Sequence, residues 1–144
     1  MSLPSLEEVL PHAPPMILLD AVESFDDDAA TCTVTLRADS PFVEDGEAPA
    51  AVMIEYMAQC VAAWAGCKGR RRGDPVRVGY LLGAREFVLH VDALRAGDTL
   101  TVTARHVWGD EIVGSFECSV TRAGTLLGRA LLSVYQGDPG AMPR

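Results

Sequence analysis

Histidine is scarce in this chain, and basic charge is scarcer than acidic. Three histidines (His12, His90 and His106) and 12 Lys+Arg stand against 20 Asp+Glu, giving a formal net charge of −8. That balance argues against a general nucleic-acid binder, which carries a basic footprint, and gives no reason to expect an anionic membrane partner. Cysteine is also sparse. Cys32, Cys60, Cys67 and Cys118 show neither C-x-x-C nor zinc spacing, so free buried thiols in a reducing cytoplasm are expected, with no metal or cofactor. Met1–Leu10 has no basic start and no sustained apolar run, so no secretory signal is expected. There is no internal repeat and no break in composition. One domain over 1–144 follows, with a short helix and proline-rich segment over 1–15 and a tail over 137–144.

What the chain does have is one long apolar run. Pro49–Gly66 reads as a helix apolar on almost every side, interrupted only by Glu55 and Gln59. At about 18 residues it is near the lower limit for crossing a bilayer. The acid and amide near its middle, with the strand-like remainder, point instead to the buried helix of a soluble domain. Side chains four apart share a helical face, so Glu55 and Gln59 sit one above the other. A carboxylate in such a core is costly unless it has a partner or a task. Pro49 suits the first turn. Gly66 reads as the C-terminal stop, with Lys68 just past it to complement the helix dipole.

The rest of the chain alternates or turns. Leu3, Leu6, Val9 and Leu10, with Ser5, Glu7 and Glu8, predict a brief first helix, and Pro11–Pro15 excludes its continuation. Met16–Phe25 and Ala29–Arg37 read as strands around Asp26–Asp28, with Cys32, Val34 and Leu36 inward and Thr31, Thr33 and Thr35 outward. The three aspartates read as a solvated tip, because ligating carboxylates usually alternate with other residues around a loop. Lys68, Arg70, Arg71 and Arg72 form the only basic run, either a solvated loop or a docking patch for an acidic partner. From Val76 to Gln136 the pattern is β. Val76–Val91 carries Gly79 and Gly83 for a bulge or bend. Thr99–Trp108 places Leu100, Val102, Ala104 and Trp108 on one face, and Gly109-Asp110 makes a two-residue turn. Glu111–Arg122 turns Ile112, Phe116, Cys118 and Val120 inward, and Thr125–Gln136 follows a turn at Ala123-Gly124. The order predicts an α+β fold, with one antiparallel sheet meandering over a central helix. A helix apolar all round needs a second sheet to cover it, hence a dimer.

Four stretches carry a resemblance. LPHAPPMILLDAV (Leu10–Val22), IEYMAQ (Ile54–Gln59), GYLLGAREF (Gly79–Phe87) and RAGDTL (Arg95–Leu100) resemble the hotdog-fold 3-hydroxyacyl-carrier-protein dehydratases of fatty-acid synthesis. They look closer still to the dehydratase-like hotdog proteins encoded in aryl-polyene pigment clusters. The match keeps the family's order over nearly the whole chain. It implies a hotdog fold, a long helix wrapped by a curved antiparallel sheet, paired with itself or with another hotdog subunit. It also implies a thioester substrate, on acyl carrier protein or coenzyme A, entering a tunnel beside the helix at the subunit interface. Glu55 matches the family's helix carboxylate. The family's loop histidine falls at Pro41, next to a matching Phe42, and Phe42–Ala48 holds no histidine. The family's glycine at the helix start falls at Ala50. His12 belongs to the matched LPH, where the resemblance implies packing or hydrogen bonding beside the substrate.

Dehydration of a 3-hydroxyacyl thioester needs a base for the α proton, an acid for the leaving hydroxyl, and donors for the thioester carbonyl. Ala50 and Ala51 offer backbone N–H groups at the helix start. Glu55, in surroundings expected to be apolar, suits the acid, because desolvation favours the neutral carboxyl. Gln59 could orient it or the substrate hydroxyl, or the two could satisfy each other at a subunit contact. No histidine is well placed as base: His106 falls on an apolar face and His90 on an exposed one. Glu44 and Asp45 lie in the loop that usually supplies it. Three readings follow: a dehydratase with an altered loop, a hotdog thioesterase in which Glu55 activates water or attacks the carbonyl, and a non-catalytic subunit pairing with an active relative. Arg70, Arg71 and Arg72 would dock the carrier protein.

Overall fold

The computed structural model describes residues 3–11, 16–76, 79–110 and 112–137. The first helix, α1 (Leu6–Val9), opens on a capping box between Ser5 and Glu8 and buries Leu6 and Val9. Strands β1 (Ala21–Phe25) and β2 (Ala29–Thr35) form a hairpin. Its tip is an Asx turn: Asp26 Oδ1 accepts from the N–H groups of Asp28 and Ala29. β1 is shorter than the expected Met16–Phe25, because the Leu18 N–H and the Met16 carbonyl bond the Gln59 side chain instead of a strand. A short β3 (Glu47–Pro49) leads into a 3₁₀ turn (Ala50–Val52) and then α2 (Met53–Arg71).

α2 passes through Gly66 without stopping. A Cβ on Gly66 would lie 2.1 Å from the Val9 carbonyl oxygen, so the glycine serves the close approach of α1 rather than termination. The stop comes at Gly73 (φ +80°). There the N–H of Gly73 reaches the Arg70 carbonyl and that of Asp74 reaches Gly69, a Schellman closure. Lys68, Arg70 and Arg71 therefore occupy the last helical turn, not a loop beyond it.

Strands β4 (Gly79–Leu89), β5 (Ala93–Arg95), β6 (Thr99–Gly109), β7 (Val113–Arg122) and β8 (Thr125–Gln136) follow. The large sheet has six strands in the order β1-β2-β6-β7-β8-β4, and β3 pairs with β5 in a small ribbon. The expected meander therefore breaks at β4, which crosses over to pair with β8 and becomes an edge. Its register shifts between Leu81 and Gly83 and again between Arg85 and Val88, where Glu86 has φ +52°. A further shift between His106 and Trp108 turns Trp108 outward to 66% exposure, against the expected inward face. Ile112 is also exposed, at 52%, because the β6–β7 connection is longer than two residues. Gly109 pairs with Gly114, and Asp110 Oδ1 accepts from the N–H groups of Ile112 and Val113. Ala123-Gly124, with φ of +49° and +82°, makes the tight turn expected between β7 and β8.

The sheet wraps α2 on one side. Met53, Met57, Cys60, Trp64 and Cys67 are buried against Cys32, Val34, Leu100, Val102, Phe116 and Val120. The helix from Ala50 to Arg71 is long and apolar enough to cross a membrane, but 61% of its apolar window is buried inside this fold. Its burial is not complete: Ala51 and Glu55 are exposed, and Ile54, Ala58, Ala62 and Ala65 are half-buried.

Candidate active site at the open face of the long helix

Glu55 lies on the stripe of α2 that the sheet leaves uncovered. It is exposed in the single chain, so the desolvation expected from the apolar sequence is not supplied by this chain alone. The carboxylate borders a cleft of about 200 Å³. Ala58, Gln59 and Ala62 continue its helical wall, at the i, i+3, i+4 and i+7 positions of one face. The facing wall is the edge of the large sheet, Gly79 and Leu81 from β4 with Val134 and Gln136 from β8. Gly79 pairs with Gln136 and Leu81 with Val134. Side chains two apart on a strand share a face, so these four meet on the helix side. Pro11 completes the lining.

Gln59 does not turn toward Glu55. It is 3% exposed, the one buried polar side chain among the described residues. Its Oε1 accepts from the Leu18 N–H (2.9 Å) and its Nε2 donates to the Met16 carbonyl (2.7 Å). The amide thus ties the segment before β1 to the helix, one turn from the carboxylate.

The helix start differs from expectation at one donor. The Ala50 N–H donates to the Asp92 carbonyl at 3.1 Å, so it is already engaged. The Ala51 N–H lies in the opening turn, where no earlier carbonyl of the helix can accept it, and Ala51 is exposed. Phe42 is 51% exposed with φ +69°, a left-handed conformation costly for a bulky residue. Glu44 and Asp45 are exposed in a tight turn. Glu44 and Glu47 exchange both backbone hydrogen bonds, and Asp45 and Gly46 have φ of +52° and +80°.

Among the described residues, none that lines the cleft is a histidine. His12 lies outside the described residues, and His90 is exposed. His106 stacks on Trp64 at 5.2 Å between ring centres and tilts against Phe116 at 5.1 Å. Its Nε2 is buried with no hydrogen-bond partner among the described residues, so it is a core residue but not a satisfied one.

The basic run is held by acids of its own chain. Arg70 pairs with Glu8 (2.5 Å), Arg71 with Asp27 (2.5 Å) and Arg72 with Asp74 (3.1 Å). Lys68 stands 4.6 Å over the Trp64 ring. All four cysteines are free and buried. The Cys32 thiol beside it, with burial, holds the Cys60 thiol well above its ordinary range. Burial pushes Cys118 up to about 12 and Cys67 to about 11. Such thiols stay protonated and are poor nucleophiles. Tyr56, beside Glu55 in sequence, is raised to about 12 by burial and by the Asp20 charge. Among the described residues no cluster of His, Cys, Asp and Glu could hold a metal ion. Val134 and Gln136 were not legible as site residues, since nothing in the β8 sequence announces which strand it adjoins.

A long helix cradled on a curved antiparallel sheet, with a carboxylate at the mouth of a cleft beside it, defines a hotdog domain. The chain belongs to the ApeP-like family, described as ApeP dehydratase, which it matches over residues 4–142. Among solved structures it is similar to the dehydratase heterocomplex ApeI:P from Xenorhabdus doucetiae. That match has 34% identity and a TM-score of 0.90, covering 95% of this chain and 93% of that one. Two more distant neighbours share the fold. The HP0420 homologue from Helicobacter felis has 12% identity, a TM-score of 0.70, and covers 94% and 91% of the two chains. A hypothetical thioesterase with coenzyme A from Streptococcus pneumoniae TIGR4 has 15% identity, a TM-score of 0.59, and covers 81% and 84%. No curated protein matches significantly. The resemblance read from the four motifs holds.

Proposed function

We propose that the chain works as one half of a hotdog dehydratase acting on 3-hydroxyacyl thioesters of fatty-acid or polyene synthesis, with Glu55 as its acid. The observation that carries this reading is the carboxylate at the mouth of an apolar cleft, beside an uncovered sheet edge. Leu81, Leu82 and Leu89 of that edge are 46%, 40% and 37% exposed. A second hotdog subunit placed against β4 and the open stripe of α2 would cover this apolar surface and take water from around Glu55. Glu55 would then protonate the leaving hydroxyl as a base removes the α proton, and water departs. The Ala51 N–H is the donor left for the thioester carbonyl.

The base is the missing part. The absence of histidine from 42–48, and from the described residues of the cleft lining, favours a partner that brings one. The heteromeric nature of the ApeI:P structure supports a different hotdog subunit over a second copy. Acyl carrier protein is the proposed carrier, in a cytoplasm that suits four free thiols. The test is the conversion of 3-hydroxyacyl-carrier protein to the enoyl form. The pair with a histidine-bearing hotdog partner should turn over, and Glu55→Gln in this chain should stop it. Turnover by the partner alone at the same rate, untouched by Glu55→Gln, would leave this chain a scaffold. Release of free thiol without enoyl product would select the thioesterase reading.

A further inference from the structure

The cleft has a polar far end that the acid chemistry does not use. From Glu55 to Ala62 the helical wall runs about 10 Å, and its intermediate surface is the small, apolar Ala58 and Ala62 opposite Leu81 and Val134. Gln136 lines this cleft and also lines both smaller cavities beside Trp64 and Ala65, which puts it at the end away from Glu55. Its backbone is fixed: the N–H donates to the Ile112 carbonyl at 2.7 Å, and the residue pairs with Gly79 across the ladder. Its half-buried carboxamide has no hydrogen-bond partner among the described residues. Gly79 lies beside it: a Cβ there would make ordinary contact, 3.5 Å from Gln136 Cγ and 3.6 Å from its Nε2. An amide carried on a fixed strand backbone, with donor and acceptor unused among the described residues, at the end of an apolar channel is a recognition element.

We propose that Gln136 is a specificity residue that selects acyl chains carrying a hydrogen-bonding oxygen near the tail, about 10 Å from the reacting carbons. The inference rests on the reading of the cleft as the acyl site, and adds the chemistry of the chain it takes. An all-hydrocarbon tail of the same length would strip water from the carboxamide and return nothing, whereas a hydroxyl or carbonyl oxygen would replace that water. Ala58 and Ala62 admit the chain only because they are small.

The experiment compares two non-hydrolysable pantetheine thioether analogues of equal length, one ending in methyl and one in hydroxymethyl, by calorimetry on this chain paired with its histidine-bearing hotdog partner. The hydroxylated tail should bind about fivefold to tenfold more tightly, the scale of one hydrogen bond. Gln136→Leu should erase that preference and Ala62→Phe should weaken both. Because the carboxamide has no partner among the described residues, Gln136→Leu should melt as the parent does; Gln136→Asn, which retracts the amide, should narrow the preference if Leu does not fold. Equal binding of the two tails by the parent overturns the role of Gln136 and leaves the acyl site standing. Binding of neither tail overturns both, and gives the cleft to a side chain of the partner subunit.

Discussion

The Gln59 side chain meets the Leu18 N–H at 2.9 Å although 41 residues separate them in the chain. With the second bond to the Met16 carbonyl, this amide fastens the N-terminal segment to the middle of α2. Replacing it with an apolar residue strands a buried donor and weakens the hold on an acceptor. Gln59→Leu should therefore lower stability by about 2–4 kcal/mol, read as a reduced midpoint in urea with an unchanged slope. Loss of activity at full stability would instead return Gln59 to the chemistry.

Glu55 makes the opposite case. Its exposure in the single chain predicts that Glu55→Gln shifts the stability of the isolated chain by no more than about 0.5 kcal/mol. Under the proposed chemistry the same change should cut dehydration by about 10²- to 10⁴-fold. Parental turnover in the variant would remove Glu55 from the mechanism.

Gly66→Ala sets two effects against each other. Alanine favours a helix interior over glycine by about 1 kcal/mol. The added methyl, however, would sit 2.1 Å from the Val9 carbonyl oxygen and 2.8 Å from its Cβ, and backbone cannot yield as a flexible side chain can. The overlap wins. A net loss of about 1–3 kcal/mol is expected, with early hydrogen exchange confined to α1. A stabilised variant would mean that α1 is free to shift.

Stability should fall on the alkaline side. Cys60, Cys67, Cys118 and Tyr56 are all raised above their ordinary values of 9.0 for thiols and 10.0 for tyrosine. A raised group holds its proton more tightly when folded. Its contribution is complete below the unfolded value and is lost as pH climbs through the folded one. The urea midpoint should therefore begin to drop near pH 9 and keep dropping toward pH 12. Tyr56→Phe should flatten the upper part of that decline. A constant midpoint across the range contradicts the burial of these groups.

Reversing Arg70, Arg71 and Arg72 to glutamate tests the carrier-protein patch. Their ion pairs are solvent-exposed, so folding should change little. Binding of acyl carrier protein should weaken, and more at low salt than at high. Unchanged binding assigns the run to the helix end alone.

The local code of this protein is written in its sequence. Capping at Ser5, alternation in β2, the tight turn at Ala123-Gly124 and the apolar run of α2 all follow from neighbours within a few residues, which is the range over which periodicity and backbone preference act. The motif order was enough to give the hotdog fold. Which strand lies beside β8, what Gln59 holds, and whether Glu55 meets water were settled only in three dimensions. Gly66 and Gln59 each have a plausible local reading, as a helix stop and as a partner for Glu55, and both readings lost to contacts with residues far away in the chain. Helical spacing shows that a stripe is apolar, but not whether the sheet of the same chain is wide enough to cover it. Here it is not, and the open stripe is where the acid stands.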